Sequence, residues 1–178
     1  MKYLILFICI VSINIIVGQT KNLHLTNAIV VGQMEKAEDR YTLEINLAEL
    51  LVNNGVKANP SLNILKSGNE LALLANDSLT SIVKSKGYDT YALISVRGYD
   101  TNFKRTTHKD PLAVALSSGN LFPIYRDEIT SVTFEVMFYR NGQFIGSDII
   151  KCGNVSTRDG VLKKFRKNAT KKITKNWK

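Results

Sequence analysis

Residues 28–31 read Ala-Ile-Val-Val, a continuous apolar run closed by Gly32. Consecutive side chains of a strand point to opposite faces of the sheet, so a run without polar alternation needs cover on both faces. This one stretch predicts a buried strand with other elements packed on each side of it.

The remaining chain supplies those layers. Leu43, Leu47, Leu50 and Leu51 share one helical face, with Tyr41, Ile45, Ala48 and Val52 beside it. Asp39 as cap and Gly55 as stop then give a helix over 40–54. Pro60 bars a central strand position, so 56–65 predicts a short strand before it and an irregular or edge segment after it. Ser67 to Glu70 has the spacing of a capping box and opens a second helix, with Leu71, Leu74, Ala75, Leu79 and Ile82 facing inward and Gly87 as its stop.

The tetrapeptide Gly-Tyr-Asp-Thr occurs at 87–90 and again at 98–101. The spacing fits no repeat architecture. Gly87 ends a helix, whereas Gly98 interrupts or ends the strand predicted over 88–96, so the echo carries no shared role. Beyond Asp100 the strand pattern lapses. Within that long connection Asp110 as cap, Pro111 in the first turn and Gly119 past the end mark a compact helix.

Residues 129–139 alternate, with Val132, Phe134, Val136 and Phe138 on one side and Thr133, Glu135, Met137 and Tyr139 on the other. Asn141-Gly142 is a strong hairpin signal, because both residues tolerate the positive φ of a primed turn, and 144–150 returns antiparallel. Val161, Phe165, Ala169, Ile173 and Trp177 recur every fourth residue, which predicts an amphipathic helix over 157–177. The order β-α-β-α-β-(α)-β-β-α therefore predicts an α/β (α+β) domain built on a single mixed sheet of about five strands with helices packed against it.

The amino terminus is set apart from that domain. Lys2, the apolar run 3–17 and the small residue Gly18 have the layout of a secretory signal peptide over 1–18, leaving 19–178 as one domain. The run is short of the roughly 20 apolar residues of a spanning helix. Ile8 is too bulky to precede a lipidated Cys9. Export to the periplasm or beyond is the expected location. Cys152 is then the only cysteine of the mature chain, so no internal disulfide is expected and the domain must hold itself by packing.

Charge is concentrated at the carboxyl end. Residues 19–157 hold 14 basic and 14 acidic side chains, whereas 158–178 hold nine basic residues against Asp159 alone. Apart from Lys2, the net charge of +9 thus comes from the last helix, which nets +8.

Several stretches carry a resemblance: Ala-Ile-Val-Val at 28–31, LLVNNG at 50–55, VKANPS at 56–61 and KGYDTYALISVRG at 86–98. Over roughly 28–150 the chain resembles small bacterial envelope domains: the amino-terminal domain of TolB, the curli secretion lipoprotein CsgG, lipoprotein activators of penicillin-binding proteins, and secreted proteins of Bacteroidetes. The resemblance implies a non-catalytic envelope accessory that binds a protein partner. It supplies no catalytic residues, and the missing lipidation signal departs from the lipoprotein members.

The residues themselves point the same way. His24, His108 and Cys152 form no metal-ligand pair, so no metal and no cofactor is expected. There is no nucleophile elbow and no glycine-rich phosphate loop, and Asp127-Glu128 precede a strand whose neighbours diverge. A Cys152–His108 pair or a serine near His108 would make the chain a hydrolase, the third-ranked function.

Two surfaces are candidates for binding. The connection after the third strand gathers Arg97, Tyr99, Asp100, Lys104, Arg105, His108 and Lys109 beyond the carboxyl end of a parallel strand, where open α/β sheets bind their ligands. It is the expected surface for a protein partner. The terminal helix presents Lys163, Lys164, Arg166, Lys167, Lys171, Lys172 and Lys175. It offers an alternative, attraction to an anionic surface of lipid headgroups, with nucleic acid disfavoured by export.

Overall fold

The computed structural model describes residues 22–65, 70–107, 109–118 and 121–178. The expected signal peptide, and the Ser67–Asn69 part of the expected capping box, lie outside the described residues.

The run at 28–31 is the heart of strand β1 (Asn27–Gln33). It pairs in parallel with β2 (Lys57–Pro60) on one side and β3 (Thr90–Tyr99) on the other. β4 (Ser131–Arg140) and β5 (Gln143–Gly153) extend the sheet antiparallel, in the order β2-β1-β3-β4-β5. This is the mixed five-stranded sheet that the alternation of elements predicts. Pro60 ends the short edge strand β2, where its missing N–H costs no ladder bond.

Cover comes from both sides. Ala28 and Val30 pack with Leu43, Leu47 and Leu51 of α1 (Ala37–Asn53) and with Val161, Phe165 and Ala169 of α4 (Arg158–Lys172). Ile29 and Val31 point the other way, to a second core. There they join Leu74 of the short 3-10 turn Leu71–Ala75, Val83 of α2 (Asp77–Ser85), and Leu112 and Leu116 of α3 (Leu112–Ser117). All four residues of the run have no exposed surface. The whole stripe from Val161 to Trp177 is buried too, and α4 ends in one wide π turn, Ile173–Trp177.

Local chemistry accounts for the turns that shape the sheet. Asn141 and Gly142 take φ of 50° and 80°, so β4 and β5 are joined by the expected primed turn. Gly98 has φ of 150°, and the β3–β4 register shifts beside it. A methyl group at Gly98 would come 2.5 Å from the Phe103 ring, so only glycine lets the chain fold back over the strand there. The strand accordingly runs on through this bulge to Tyr99 rather than stopping at 96.

Three expected helix starts are displaced. α1 begins at Ala37 after Lys36, and Asp39 lies inside its first turn. The expected second helix is two pieces, a 3-10 turn and then α2, capped by the Asn76 side chain accepting from the Leu79 N–H at 2.8 Å. Val83 rather than Ile82 faces its core, because the break at Asn76 resets the helical phase. Pro111 precedes α3, and the Asp110 side chain makes no cap there. At Asn76 a local side-chain hydrogen bond outweighs the spacing rule.

α1 is tied to the sheet by a buried carboxylate. Glu44 accepts from the Gly32 N–H at 2.9 Å, Arg40 Nε at 2.9 Å and the Ser61 hydroxyl at 2.8 Å, and from the Leu62 N–H at 3.1 Å. Removing one member of such a group leaves an uncompensated buried charge, which costs about 3–5 kcal/mol. Glu44→Ala is expected to lower the unfolding free energy by about that amount in urea titration. A loss under about 1 kcal/mol, the size of an exposed pair, would contradict this account.

Candidate functional site

The first candidate surface does not stay together. Tyr99 donates its hydroxyl to the Pro123 carbonyl, packs edge-on against Phe122 and lies under the Arg126 guanidinium. Burial raises its pKa, with Arg126 opposing. Asp100, at φ of 49°, turns its carboxylate onto the hydroxyl and N–H of Thr130 and the N–H of Ser131. Those bonds, the Thr130 hydroxyl foremost, hold its pKa below the usual range. Both residues fasten the connection to β4. Arg97 lies 3.3 Å from the buried Glu135 carboxylate, which also accepts the Thr106 N–H. Lys109 is exposed near the start of α3, and His108 lies outside the described residues.

The crevice beyond the carboxyl ends of β1 and β3 is partly filled by the chain. Ile124 is fully buried there, and its N–H donates to Asp39 at 3.1 Å. Arg158 pairs with the same carboxylate at 3.0 Å. The chain takes up part of the place where an open sheet would take a ligand, leaving cavities of about 370 Å³ beside Gln33 and about 470 Å³ beside Arg158.

Lys104 and Arg105 go elsewhere, to the free edge of β5. The segment 102–105 runs alongside that edge, and α4 flanks the strand from its other side. Two levels of contact join them. At one level Lys151 donates to Asn102 at 2.6 Å, while its carbonyl accepts from the Asn168 amide at 2.6 Å. At the other, Asp148 Oδ1 accepts from Arg105 and from Lys172, each at 2.9 Å. Its Oδ2 accepts from Asn176 at 3.2 Å and from the Trp177 indole at 3.1 Å.

Between these walls lies a groove of about 740 Å³ lined by Lys104, Arg105, Lys151, Lys171 and Lys172 around Asp148. Phe103, Ile149, Ile150 and Asn168 complete its lining. Lys104 and Lys171 are exposed and form no ion pair among the described residues. The structure thus joins one part of each candidate surface into a single cationic site. Lys163 and Lys167 lie outside it, on the exposed face of α4, with Lys164 half-buried and Lys175 exposed. Arg166 is taken up by Glu49 at 2.7 Å and Asn46 at 2.6 Å, which lowers the Glu49 pKa.

Asp148 and Lys151 escaped the sequence reading. The available signal was a lone carboxylate two residues ahead of Ile150 within an apolar strand, since a charge on a covered face needs partners. Burial alone would raise the Asp148 pKa, but the bonds from Lys172, Asn176 and Trp177 outweigh it and the net shift is downward. Cys152, one strand position beyond Lys151, has its thiol pushed up to about 12 by burial. It is a buried thiol at neutral pH rather than a nucleophile.

A second cavity, about 240 Å³, opens between α2 and the Asn141-Gly142 turn, rimmed by Asp77, Lys84 and Asp89. Among the described residues no group of three or more His, Cys, Asp or Glu is placed to hold a metal. No helix of the described residues is long and apolar enough to cross a membrane.

No family model matches the chain, and no curated protein matches it either. Solved structures do. Two PelC dodecamers from Paraburkholderia phytofirmans, one of them a point variant, align with TM-scores of 0.46 at 11% and 12% identity. They cover 86% and 87% of this chain and 89% and 86% of their own. The lipoprotein GNA1162 from Neisseria meningitidis aligns with a TM-score of 0.45 at 16% identity, over 84% of this chain and 98% of its own.

A depressed carboxylate pKa makes a stability contribution that is present above the unfolded value and lost as pH falls through the folded one. For Asp148 that window opens below about pH 3.9. The wild-type unfolding midpoint is expected to fall faster than that of Asp148→Asn as the pH drops below about 4. Parallel curves for the two proteins would show that the carboxylate is not preferentially ionised in the folded state.

Proposed function

We propose that this chain is an exported, non-enzymatic accessory of the cell envelope that recognises a protein partner, and that the partner presents acidic groups to the cationic groove. One observation carries the reading: five basic side chains from three separate elements line one groove, and its single carboxylate is already satisfied from within. Lys104 and Lys171 are left for a partner. The leader-like start of the sequence supports export, and the buried Cys152 thiol weighs against thiol chemistry.

The second reading is attraction of α4 to anionic lipid headgroups, favoured by the exposed Lys163, Lys167 and Lys175, which form no ion pair among the described residues. It would use the outer face of the helix rather than the groove, so the two readings separate by mutation.

Affinity capture from native envelopes, followed by mass spectrometry, tests the first reading. Wild type and Lys84→Glu, a change at the remote cavity, are expected to retain the same proteins. Those proteins should be lost from the double variant Lys104→Glu, Lys171→Glu at unchanged melting temperature. Equal retention by the double variant would refute the groove as the recognition surface.

A further inference from the structure

The groove also indicates what form of partner it accepts. We infer that it takes an extended acidic segment of a partner protein, bound through its side chains; this rests on the reading above and narrows it.

Three observations lead there. The first is charge: Lys104 and Lys171 lack ion-pair partners among the described residues, and Lys151 meets only the neutral Asn102. A segment carrying carboxylates would meet these cations at an open rim.

The second is shape. Half-buried Phe103 and Ile149 line the groove between the basic residues of 104–105 and those of α4. A plane of lipid headgroups touches the highest points of a surface and leaves such a floor unfilled. A peptide can lower an apolar side chain onto the floor while its acidic neighbours meet the rims. The volume of about 740 Å³ is also well beyond what a lone phosphate or carboxylate would fill.

The third is the state of the β5 edge. A free edge strand ordinarily invites a partner to add as another strand. Here the Ile149 N–H is satisfied by the Asp148 carboxylate at 2.9 Å, and the Lys151 carbonyl by Asn168. Two of the edge's outward main-chain groups within the groove are thus already taken, which disfavours strand addition and shifts recognition to the side chains. An extended chain rises about 3.3 Å per residue, so the three-residue step from Asp148 to Lys151 sets the two basic levels about 10 Å apart. Acidic residues three positions apart in the partner segment match that spacing.

The test uses the purified protein and a fluorescein-labelled peptide with glutamate at every third position and leucine and serine between. Fluorescence anisotropy is expected to show binding that weakens with added salt. Affinity should drop about tenfold or more for Lys104→Glu, Lys171→Glu, and stay within about twofold for Lys163→Glu, Lys167→Glu on the outer helix face. The matching peptide with glutamine for glutamate should bind at least about tenfold more weakly. Equal losses from the two double variants, or equal binding of the glutamine peptide, would overturn the inference. A control with phosphatidylglycerol-containing vesicles reads the competing occupant. Vesicle binding lost in the outer-face variant, without peptide binding, would assign the basic surface to a membrane and overturn it as well. If envelope capture depends on the groove but the peptide does not bind, this inference fails while the proposed function stands.

Discussion

The buried carboxylate of Asp148 is the point on which this end of the molecule depends. It is 3% exposed, so an ionised group there must be saturated by donors or be driven neutral. The donors come from far apart in the chain: Arg105 before β4, and Lys172, Asn176 and Trp177 at the end of α4. Meeting that demand seats the wide last turn of α4 against the sheet, with the Trp177 and Phe138 rings 4.9 Å apart. The carbonyls of Asn176 and Trp177 then accept the N–H groups of Leu23 and Leu25, so the start of the described chain is fastened by the same arrangement. The cations left on either side of Asp148 are the walls of the groove. A stabilising contact and the proposed recognition surface are therefore one construction.

Glu44 plays the corresponding part at the opposite side of the sheet, with a different outcome. It gathers Arg40, Ser61 and two main-chain N–H groups, and nearby Asp39 gathers Ile124 and Arg158. The two buried carboxylates at that end are satisfied from within, and Ile124 is buried beyond the parallel strands. The β5 side is built with more cations than its one carboxylate can use. Under the proposed function that surplus, rather than the position of the strand ends, sets where a ligand is met. The functional surface so proposed lies at the outer edge rather than at the usual place in an open α/β sheet.

Much of the fold was legible because it is written in local periods. The run at 28–31, the Asn141-Gly142 turn and the stripe from Val161 to Trp177 each specify an element from neighbouring residues alone, and each is found. Helix starts were less legible: Asn76 captures the Leu79 N–H and breaks the expected second helix, and Asp39 serves a distant N–H instead of its own helix end. The site was half legible. Lys104, Arg105, Lys171 and Lys172 stand among the sequence candidates, but their meeting was not readable. It depends on Asp148, which contacts Arg105 across 43 residues. Tyr99 and Asp100 looked like binding residues for the same reason that they hold the connection in place: polar groups beside a bulge find main-chain partners first.

Amide hydrogen exchange on Asp148→Asn, compared with wild type, measures the central claim most directly. The account predicts that protection falls together at Leu23, Leu25 and Lys178, whose N–H bonds run through the last turn of α4, while β1 and β3 keep theirs. Unchanged protection at those three amides would mean that the helix end and the groove wall stand without the carboxylate, and the account would be wrong.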